Sequence, residues 1–276
     1  MPLSYQEVVD HPIFSEPPFR WRMGVRSLAA HEWLQPDDRR SADLAEKELL
    51  TRQRRDAVFA AQARSEPASV EIHDLVVDAL AGHELAPVAA RRHPLETAGL
   101  SVQEDLCLLE PVGSSWVLTA GSVCFPTRWD LRAVLGSSLA AIHSPVPSYD
   151  RHLDGRVDRF FDRMVPGAVA HRLNWSLVGD SARRLEPEAR QAPTALPDDP
   201  ATGLHLRVER QTLRRLVGHR AIVFGIRIHV WPLGEVVDHV GAATLAQQLV
   251  ALPEAVAHYK DLDGFRHELT DWLRGI

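Results

Sequence analysis

The stretch that decides the fold is 204–232, with the sequence LHLRVERQTLRRLVGHRAIVFGIRIHVWP. Apolar and polar residues alternate in it, first around Leu206 and Val208 and again from Ile222 to Trp231. A period of two residues is typical of a β-strand with one buried face. The intervening residues 214–220 predict a turn. We therefore expect two long antiparallel strands at the centre of a sheet.

Shorter segments extend this sheet and cover it. Apolar runs at 105–110 and 116–125 flank turn residues and predict a second hairpin, and 171–178 predicts a further strand. Asp37 or Asp38 can cap a helix that runs through Leu44, Leu49, Val58 and Phe59. Residues 72–80 have the apolar spacing of another helix. The sum predicts a single α+β domain with a helical N-terminal part (about 1–100), a sheet core (about 101–235) and C-terminal helices (about 236–276).

Composition excludes several classes of function. The chain has 276 residues with 31 Lys and Arg against 37 Asp and Glu, a net charge of −6, so we expect no nucleic-acid partner. Its two cysteines are too few for a Cys₄ zinc site or a thiolate-bound iron–sulfur cluster. The sequence shows neither the run of about 20 apolar residues that spans a bilayer nor a secretory leader. We expect a cytoplasmic protein without membrane contact.

Familiar catalytic signatures are missing from the sequence, which has no P-loop, no G-x-G-x-x-G and no G-x-S-x-G. His143 is the most informative histidine, because it follows an apolar helical turn and precedes Pro145 and Pro147. A neutral imidazole in a rigid apolar setting suits axial ligation of haem iron. A core or helix-capping histidine is the alternative.

Other residues stand out for their charge or position. Strict alternation places Arg210 on the sheet face of Leu206 and Val208, where it needs an anionic partner such as a propionate, a substrate or a structural carboxylate. The same alternation places Arg207 and Gln211 on the opposite face. The remaining candidates are pocket-rim or strand residues, each of which could equally be ordinary packing: Arg128, Trp129, Asn174 and Trp175.

At these segments the chain resembles the family of haem-dependent oxidative N-demethylase alpha subunits. The matching stretches occur in order: FRWRMGVR (19–26), SVCFPTRWDL (122–131), AIHSPVP (141–147), VDRFF (157–161), RLNWSL (172–177) and RVERQTLRRL (207–216). The chain departs from the family pattern after the last stretch, and we expect His229 and Trp231 to reshape one wall of the pocket.

The resemblance implies a PAS-like antiparallel sheet that holds haem b and activates O₂ to remove a methyl group from a small amine, releasing formaldehyde. It implies His143 as the iron ligand and metal site. It further implies Arg210, Gln211 and Arg128 as catalytic residues, and Arg207, Trp129, Asn174 and Trp175 as cofactor-binding residues. Electrons would come from NAD(P)H through a separate reductase carrying flavin and an iron–sulfur cluster.

Two other functions compete with the monooxygenase. A PAS-like fold also hosts non-catalytic haem or small-molecule sensors. The fold could also serve without haem as a subunit scaffold.

Overall fold

The central hairpin is the longest strand pair of the computed structural model, which describes residues 23–147, 155–188 and 192–276. The described residues form one seven-stranded antiparallel sheet in the order β1-β5-β6-β7-β3-β4-β2. The strands are β1 (Arg26–Leu28), β2 (Phe59–Ala61), β3 (Asp105–Val112), β4 (Ser115–Ser122), β5 (Val169–Val178), β6 (His205–Arg215) and β7 (Ile222–Pro232).

Helices join the strands and cover both sides of the sheet. The α-helices of the described residues are α1 (Arg40–Val58), α2 (Glu66–Ala81), α3 (Pro94–Ser101), α4 (Leu131–Val134), α5 (Leu139–Ile142), α6 (Arg156–Arg163), α7 (Pro200–Gly203), α8 (Leu233–Val240), α9 (Ala242–Ala251), α10 (Glu254–Tyr259) and α11 (Arg266–Gly275). Short 3₁₀ turns occur at Ala30–Glu32 and Ala63–Ser65. Within these residues no helix combines the length and apolar character that crossing a membrane requires.

Side chains alternate between two faces of the sheet. Asn174 lies opposite Glu209 and Trp175 lies opposite Val208, so each pair shares a face. We call the face that carries Asn174, Arg207, Glu209 and Gln211 the front face. The face that carries Trp175, Val208, Arg210 and Arg227 is the back face.

Both faces are packed, but by different parts of the chain. The C-terminal helices bury Leu206 and Val208 of the back face, and α2 and α3 cover the other end of that face around Leu106. The front face packs against the shorter helices α4, α5 and α6. It also contacts Phe125, which follows β4. The front-face helices are short, so the polar residues of β5 and β6 remain half-buried.

The α+β class and both predicted hairpins are confirmed. The predicted helical N-terminal part also supplies two edge strands, β1 and β2, that the sequence analysis missed. The domain boundaries and the PAS-like assignment stay predictions. Of the stretches that carry the family resemblance, 19–26 lies largely outside the described residues.

The predicted helix through Leu44, Leu49 and Val58 is present as α1, but charged residues form much of its buried side. Leu49 is 52% exposed, whereas Asp43 and Lys47 of the same helix are buried. Lys47 Nζ forms an ion pair with Asp105 at 3.2 Å, and Asp43 forms one with Arg227 at 2.8 Å. The helix therefore packs through paired charges, since a charge can be buried when an opposite charge meets it.

Candidate functional site

Glu209 is the centre of a polar cluster on the front face. Gln211 Nε2 donates to Glu209 Oε2 at 2.7 Å, and Asn174 Nδ2 donates to the same oxygen at 3.3 Å. The hydroxyl of Thr127, from the loop after β4, donates to Glu209 Oε1. With Arg207, which contacts Thr127, these residues form what we call the Glu209 cluster.

Three segments supply this cluster: strand β6, its neighbour β5 and the loop after β4. Glu209 and Gln211 are two residues apart on β6 and so share a face. Asn174 is the direct cross-strand neighbour of Glu209 on β5. Thr127 approaches from above the sheet, where it bridges to Leu185.

Arg207 holds the approaching loops in place. Its side chain is completely buried, and its Nη2 donates to the carbonyl oxygens of Phe125 at 3.2 Å and Arg183 at 2.8 Å. Its Nη1 donates to Ala182 O at 3.2 Å. A guanidinium whose donors are used on main-chain carbonyls ties loops to a strand. The structure thus gives Arg207 a positioning role.

The same arginine also sets the direction of a hydrogen-bond chain. Arg207 Nε donates to Thr127 Oγ1 at 3.1 Å. Because an arginine can only donate, the Thr127 oxygen must accept this bond, and its own proton is directed to Glu209. The Glu209 carboxylate is therefore the final acceptor of this chain.

Arg128 lies at the rim of the cluster in a constrained conformation. Its backbone has φ of +62°, a left-handed value that is uncommon outside glycine. Its guanidinium donates to Asp261 Oδ2 at 2.8 Å, and Asp261 has φ of +57°. Two strained residues are thus joined by one ion pair, which fixes the loop after β4 to the residues that follow α10.

Residues next to Asp261 connect this rim to the edge of the sheet. Lys260 Nζ donates to the carbonyl of Trp175 on β5 and lies 5.0 Å from the centre of the Trp175 ring. Burial lowers the pKa of Lys260 to about 8. Burial, followed by the charge of Glu209, raises the pKa of Tyr259. The C-terminal segment therefore bends around β5 from the back face towards the front.

His143 is the C-cap of α5, as the sequence predicts. Its Nδ1 lies 2.8 Å from the carbonyl oxygen of Leu139. A carbonyl only accepts hydrogen bonds, so Nδ1 carries the proton and Nε2 carries the lone pair of the neutral ring. Burial and the charge of Arg172 lower the pKa of His143, although its bond to Leu139 opposes this. The neutral imidazole is the form that ligates metals.

Arg172 and Trp129 extend the front-face site between His143 and the Glu209 cluster. Arg172 lies opposite Gln211 in the β5–β6 register, and its charge acts on His143. Trp129 is half-buried and packs against two apolar clusters of the front face, which contain Phe161 and Ile228 respectively. The front face thus brings together six of the candidate residues of the sequence: Arg207, Gln211, Arg128, His143, Trp129 and Asn174.

Arg210 and Trp175 lie on the back face, away from that group. Arg210 is 1% exposed and donates to the carbonyl oxygens of Glu32 at 2.6 Å and Trp33 at 3.1 Å. Trp175 packs in the apolar cluster under the C-terminal helices, beside a cavity of about 20 Å³, which is room for no more than a water molecule. The structure therefore does not unite these two residues with Gln211 and Asn174.

His229 and Trp231 also lie on the back face, since they pair with Val208 and Leu206. Their rings stack with centres 5.4 Å apart and an angle of 8° between the planes. They cannot form one wall with Gln211, because β6 and β7 separate them from it. They share the face of Arg210, and their predicted effect on one wall of a pocket stays a prediction.

Glu209 was missed in the sequence because a glutamate that alternates along a strand normally faces solvent. A usable signal was present, since Glu209 stands between Arg207 and Gln211 on one face of a long central strand. Three consecutive polar residues on one face of such a strand indicate a polar site. The partners Thr127 and Asn174 come from distant segments, so their convergence could not be predicted from local spacing.

Residues 81–270 match the family described as haem-dependent oxidative N-demethylase, alpha subunit-like. The chain belongs to this family. The resemblance found in the sequence is thereby confirmed, and the matched residues include His143 and the whole Glu209 cluster. The name of the haem-dependent oxidative N-demethylase alpha subunit-like family refers to haem, to oxidative demethylation and to a subunit of a larger complex.

The front-face residues fit the haem that this family name implies. His143 offers Nε2 as a ligand atom, and its Nδ1 bond to a main-chain carbonyl is the kind of outer contact that fixes a ligating imidazole. Half-buried apolar residues lie close by in the same cluster, among them Ile142, Phe160 and Met164. In the described part of the chain, no group of three or more His, Cys, Asp and Glu is placed to hold a metal ion. Axial ligation through one histidine does not need such a group.

Proposed function

We propose that this chain is the haem-binding catalytic subunit of an oxidative N-demethylase that acts on a small amine. The proposal is carried by one observation, the fixed tautomer of His143 within the part of the chain that matches the family. In the net reaction, the amine, O₂, a pair of electrons and a pair of protons give the demethylated amine, formaldehyde and water.

His143 would hold the iron through Nε2, and Trp129 with the apolar residues of the α5–α6 region would enclose the macrocycle. A bound haem b supplies the oxygen and one-electron chemistry that protein side chains lack. The chain's own residues bind and orient the other reactants. Arg128, fixed by Asp261, and Gln211, fixed by Glu209, line the polar side of this site.

Arg210, Arg207 and Trp175 have supporting roles in this proposal. Arg210 joins β6 to the main chain at Glu32 and Trp33. Arg207 holds the loop that carries Thr127. Both guanidinium groups therefore position elements around the site, and neither needs to touch a reactant.

The electrons must come from another protein. A pyridine nucleotide donates a hydride, which is normally divided into single electrons by a flavin. The chain has two cysteines, and burial raises the pKa of both, that of Cys124 to about 12. We propose that NAD(P)H supplies the electrons through partner subunits that carry flavin and an iron–sulfur cluster.

The ligand assignment is tested by replacing His143 with alanine and recording the visible spectrum of the purified holoprotein. We expect His143→Ala to lose or strongly shift the Soret band while its far-UV circular dichroism is unchanged. His239→Ala is the matched control, because the Nδ1 of this exposed histidine also contacts the carbonyl oxygen four residues earlier, at 2.8 Å. An unchanged Soret band in His143→Ala would overturn the assignment.

The reaction itself is tested with a surrogate reductase and dimethylamine, the smallest secondary amine with an N-methyl group. We expect formaldehyde to form only when electrons are supplied, and no oxidation of NADPH by the chain alone. A protein that binds haem but never forms formaldehyde would favour the sensor alternative. A protein without haem after expression with ample haem supply would favour the scaffold.

A further inference from the structure

The carboxylate of Glu209 fixes how its neighbours present their polar atoms. An ionised carboxylate can only accept, so the amide groups of Asn174 and Gln211 must turn their NH₂ ends towards it. Their carbonyl oxygens, Oδ1 and Oε1, consequently point away from Glu209. The cluster therefore presents acceptor atoms to its surroundings.

The acceptors can be reached by a small molecule. Glu209, Asn174, Gln211 and Thr127 are all half-buried among the described residues, whereas Arg207 beneath them is completely buried. A carboxylate has about four acceptor sites, and the three donors of the cluster use three of them. Glu209 can thus accept one more hydrogen bond without losing a partner.

The neighbouring cations are directed elsewhere. Arg207 donates to Thr127 and to main-chain carbonyls, Arg128 donates to Asp261, and Lys260 donates to Trp175 O. None of these contacts is with Glu209, whose hydrogen-bond partners among the described residues are the neutral groups of Thr127, Asn174 and Gln211. Its negative charge acts at longer range on Arg207 and Lys260, but neither cation bonds to it directly, so the carboxylate can still accept a bond from a cationic ligand.

Apolar side chains lie next to this charge. Ile228 is the cross-strand neighbour of Glu209 on β7, and Ile226 is that of Gln211. The half-buried Trp129 packs against the same cluster as these isoleucines. A ligand with a cationic nitrogen and small alkyl groups matches an acceptor site beside such a surface.

We propose that Glu209 binds the nitrogen of the amine substrate, with the carbonyl oxygens of Asn174 and Gln211 as additional acceptors. The inference rests on the proposed function, because it takes the substrate to be a small amine. It makes Glu209 a specificity-determining residue: a site built from acceptors rejects molecules that cannot donate hydrogen bonds. Arg207 and Thr127 are positioning residues that orient the carboxylate.

The test compares Glu209→Gln with the wild-type holoprotein in calorimetric titrations with dimethylammonium chloride. Glutamine keeps the shape but removes the charge, so we expect amine affinity to fall about tenfold or more and KM to rise, with the Soret band unchanged. Glu110→Gln is the matched control, since Glu110 is a strand carboxylate that accepts a threonine hydroxyl, from Thr119 at 2.5 Å. This variant should bind the amine like the wild type.

A second variant keeps the test valid if Glu209→Gln fails to fold. Gln211→Met removes one acceptor at nearly constant length and should weaken amine binding several-fold without changing haem content. Equal amine affinity in the wild type and in whichever of these variants folds would overturn the Glu209 assignment, and so would a wild type that binds no dimethylamine. If the variants lose amine binding but the wild type holds no haem, the Glu209 site stands and the proposed demethylase function fails.

Discussion

Arg227 and Glu209 lie on opposite faces of the sheet and have different kinds of partner. On the back face, Arg227 donates to Asp43 Oδ2 at 2.8 Å and to Asp37 Oδ2 at 2.7 Å. On the front face, the carboxylate of Glu209 accepts from neutral groups such as the amide of Gln211. A charge that meets opposite charges is neutralised within the protein, whereas a charge held by neutral dipoles can still act on a ligand. Arg227 should therefore govern stability, and Glu209 should govern binding.

The largest expected effect is the loss of Arg227. The variant Arg227→Met removes the cation from Asp37 and leaves Asp43 paired with Arg183. Breaking a buried pair of this kind costs about 3–5 kcal/mol of the free energy of unfolding. Urea denaturation measures this loss. Arg52→Met is the control, because Arg52 is 74% exposed in its pair with Glu48 and should change stability by less than about 1 kcal/mol. Equal stability of the two variants would contradict the division between the faces.

The next largest effect is expected at Arg210. Arg210→Met leaves the carbonyl oxygens of Glu32 and Trp33 without this donor, which should cost about 2–4 kcal/mol of unfolding free energy. Because Arg210 lies on the back face, the haem content of the folded variant should not change. If Arg210→Met melted at the wild-type temperature but bound haem more weakly, Arg210 would instead have a cofactor-binding role.

His229 on the back face gives a pH-dependent effect. Burial and the charge of Arg227 lower its pKa to about 3. The unfolded chain takes up a proton at this histidine below about pH 6.5, but the folded chain does not until about pH 3. Stability should therefore fall by roughly 2 kcal/mol as the pH decreases from about 6.5 to 4.

The measurement for His229 is the unfolding free energy across this pH range in the wild type and in His229→Phe, which keeps the stack on Trp231. The variant should lose most of the slope. His258→Phe, a change at an 82% exposed histidine, should keep it. Parallel curves for His229→Phe and the wild type would show that this ring does not titrate as expected.

The smallest effect is expected at Glu71 of α2, a partly exposed contact. Although burial acts to raise the pKa of Glu71, hydrogen bonds from His219 and from the main chain of Gly218 and Val217 lower it. A carboxyl group whose pKa is lower in the folded than in the unfolded protein stabilises the fold at any pH above its unfolded-state pKa. This stabilisation is lost as the pH falls through the folded-state pKa. Glu71→Gln should cost about 1 kcal/mol near neutral pH and nothing in acid. If the variant were still less stable than the wild type in acid, the loss would come from changed packing and not from the missing charge.

The sequence predicts the central strands well because alternation is a local property. It correctly separates Arg210 from Gln211, which are neighbours in the chain and lie on opposite faces. The same rule separates Trp175 from Asn174, and applying it there would have removed Trp175 from the front-face group. Local spacing also places His143 at the end of a helix.

The missed features depend on residues far apart in the chain. Asp43 and Lys47 are buried because Arg227 and Asp105 meet them, and no local pattern reveals such partners. Strands β1 and β2 are three residues long, too short for a period to show. Glu209 becomes a centre only when Thr127 arrives from a loop 82 positions away.

The contact between Lys260 and β5 has a consequence for the solubility of the protein. Strand β1 pairs with β5 at residues 169–171, and β5 continues to Val178 along the same side of the sheet. Unpaired strand edges attract strands of other molecules and start aggregation. Lys260 occupies the carbonyl of Trp175 in the middle of this edge and buries a cation there. Removal of the residues after α10 would therefore expose a template for association between molecules, and the protein would lose solubility before it lost its sheet.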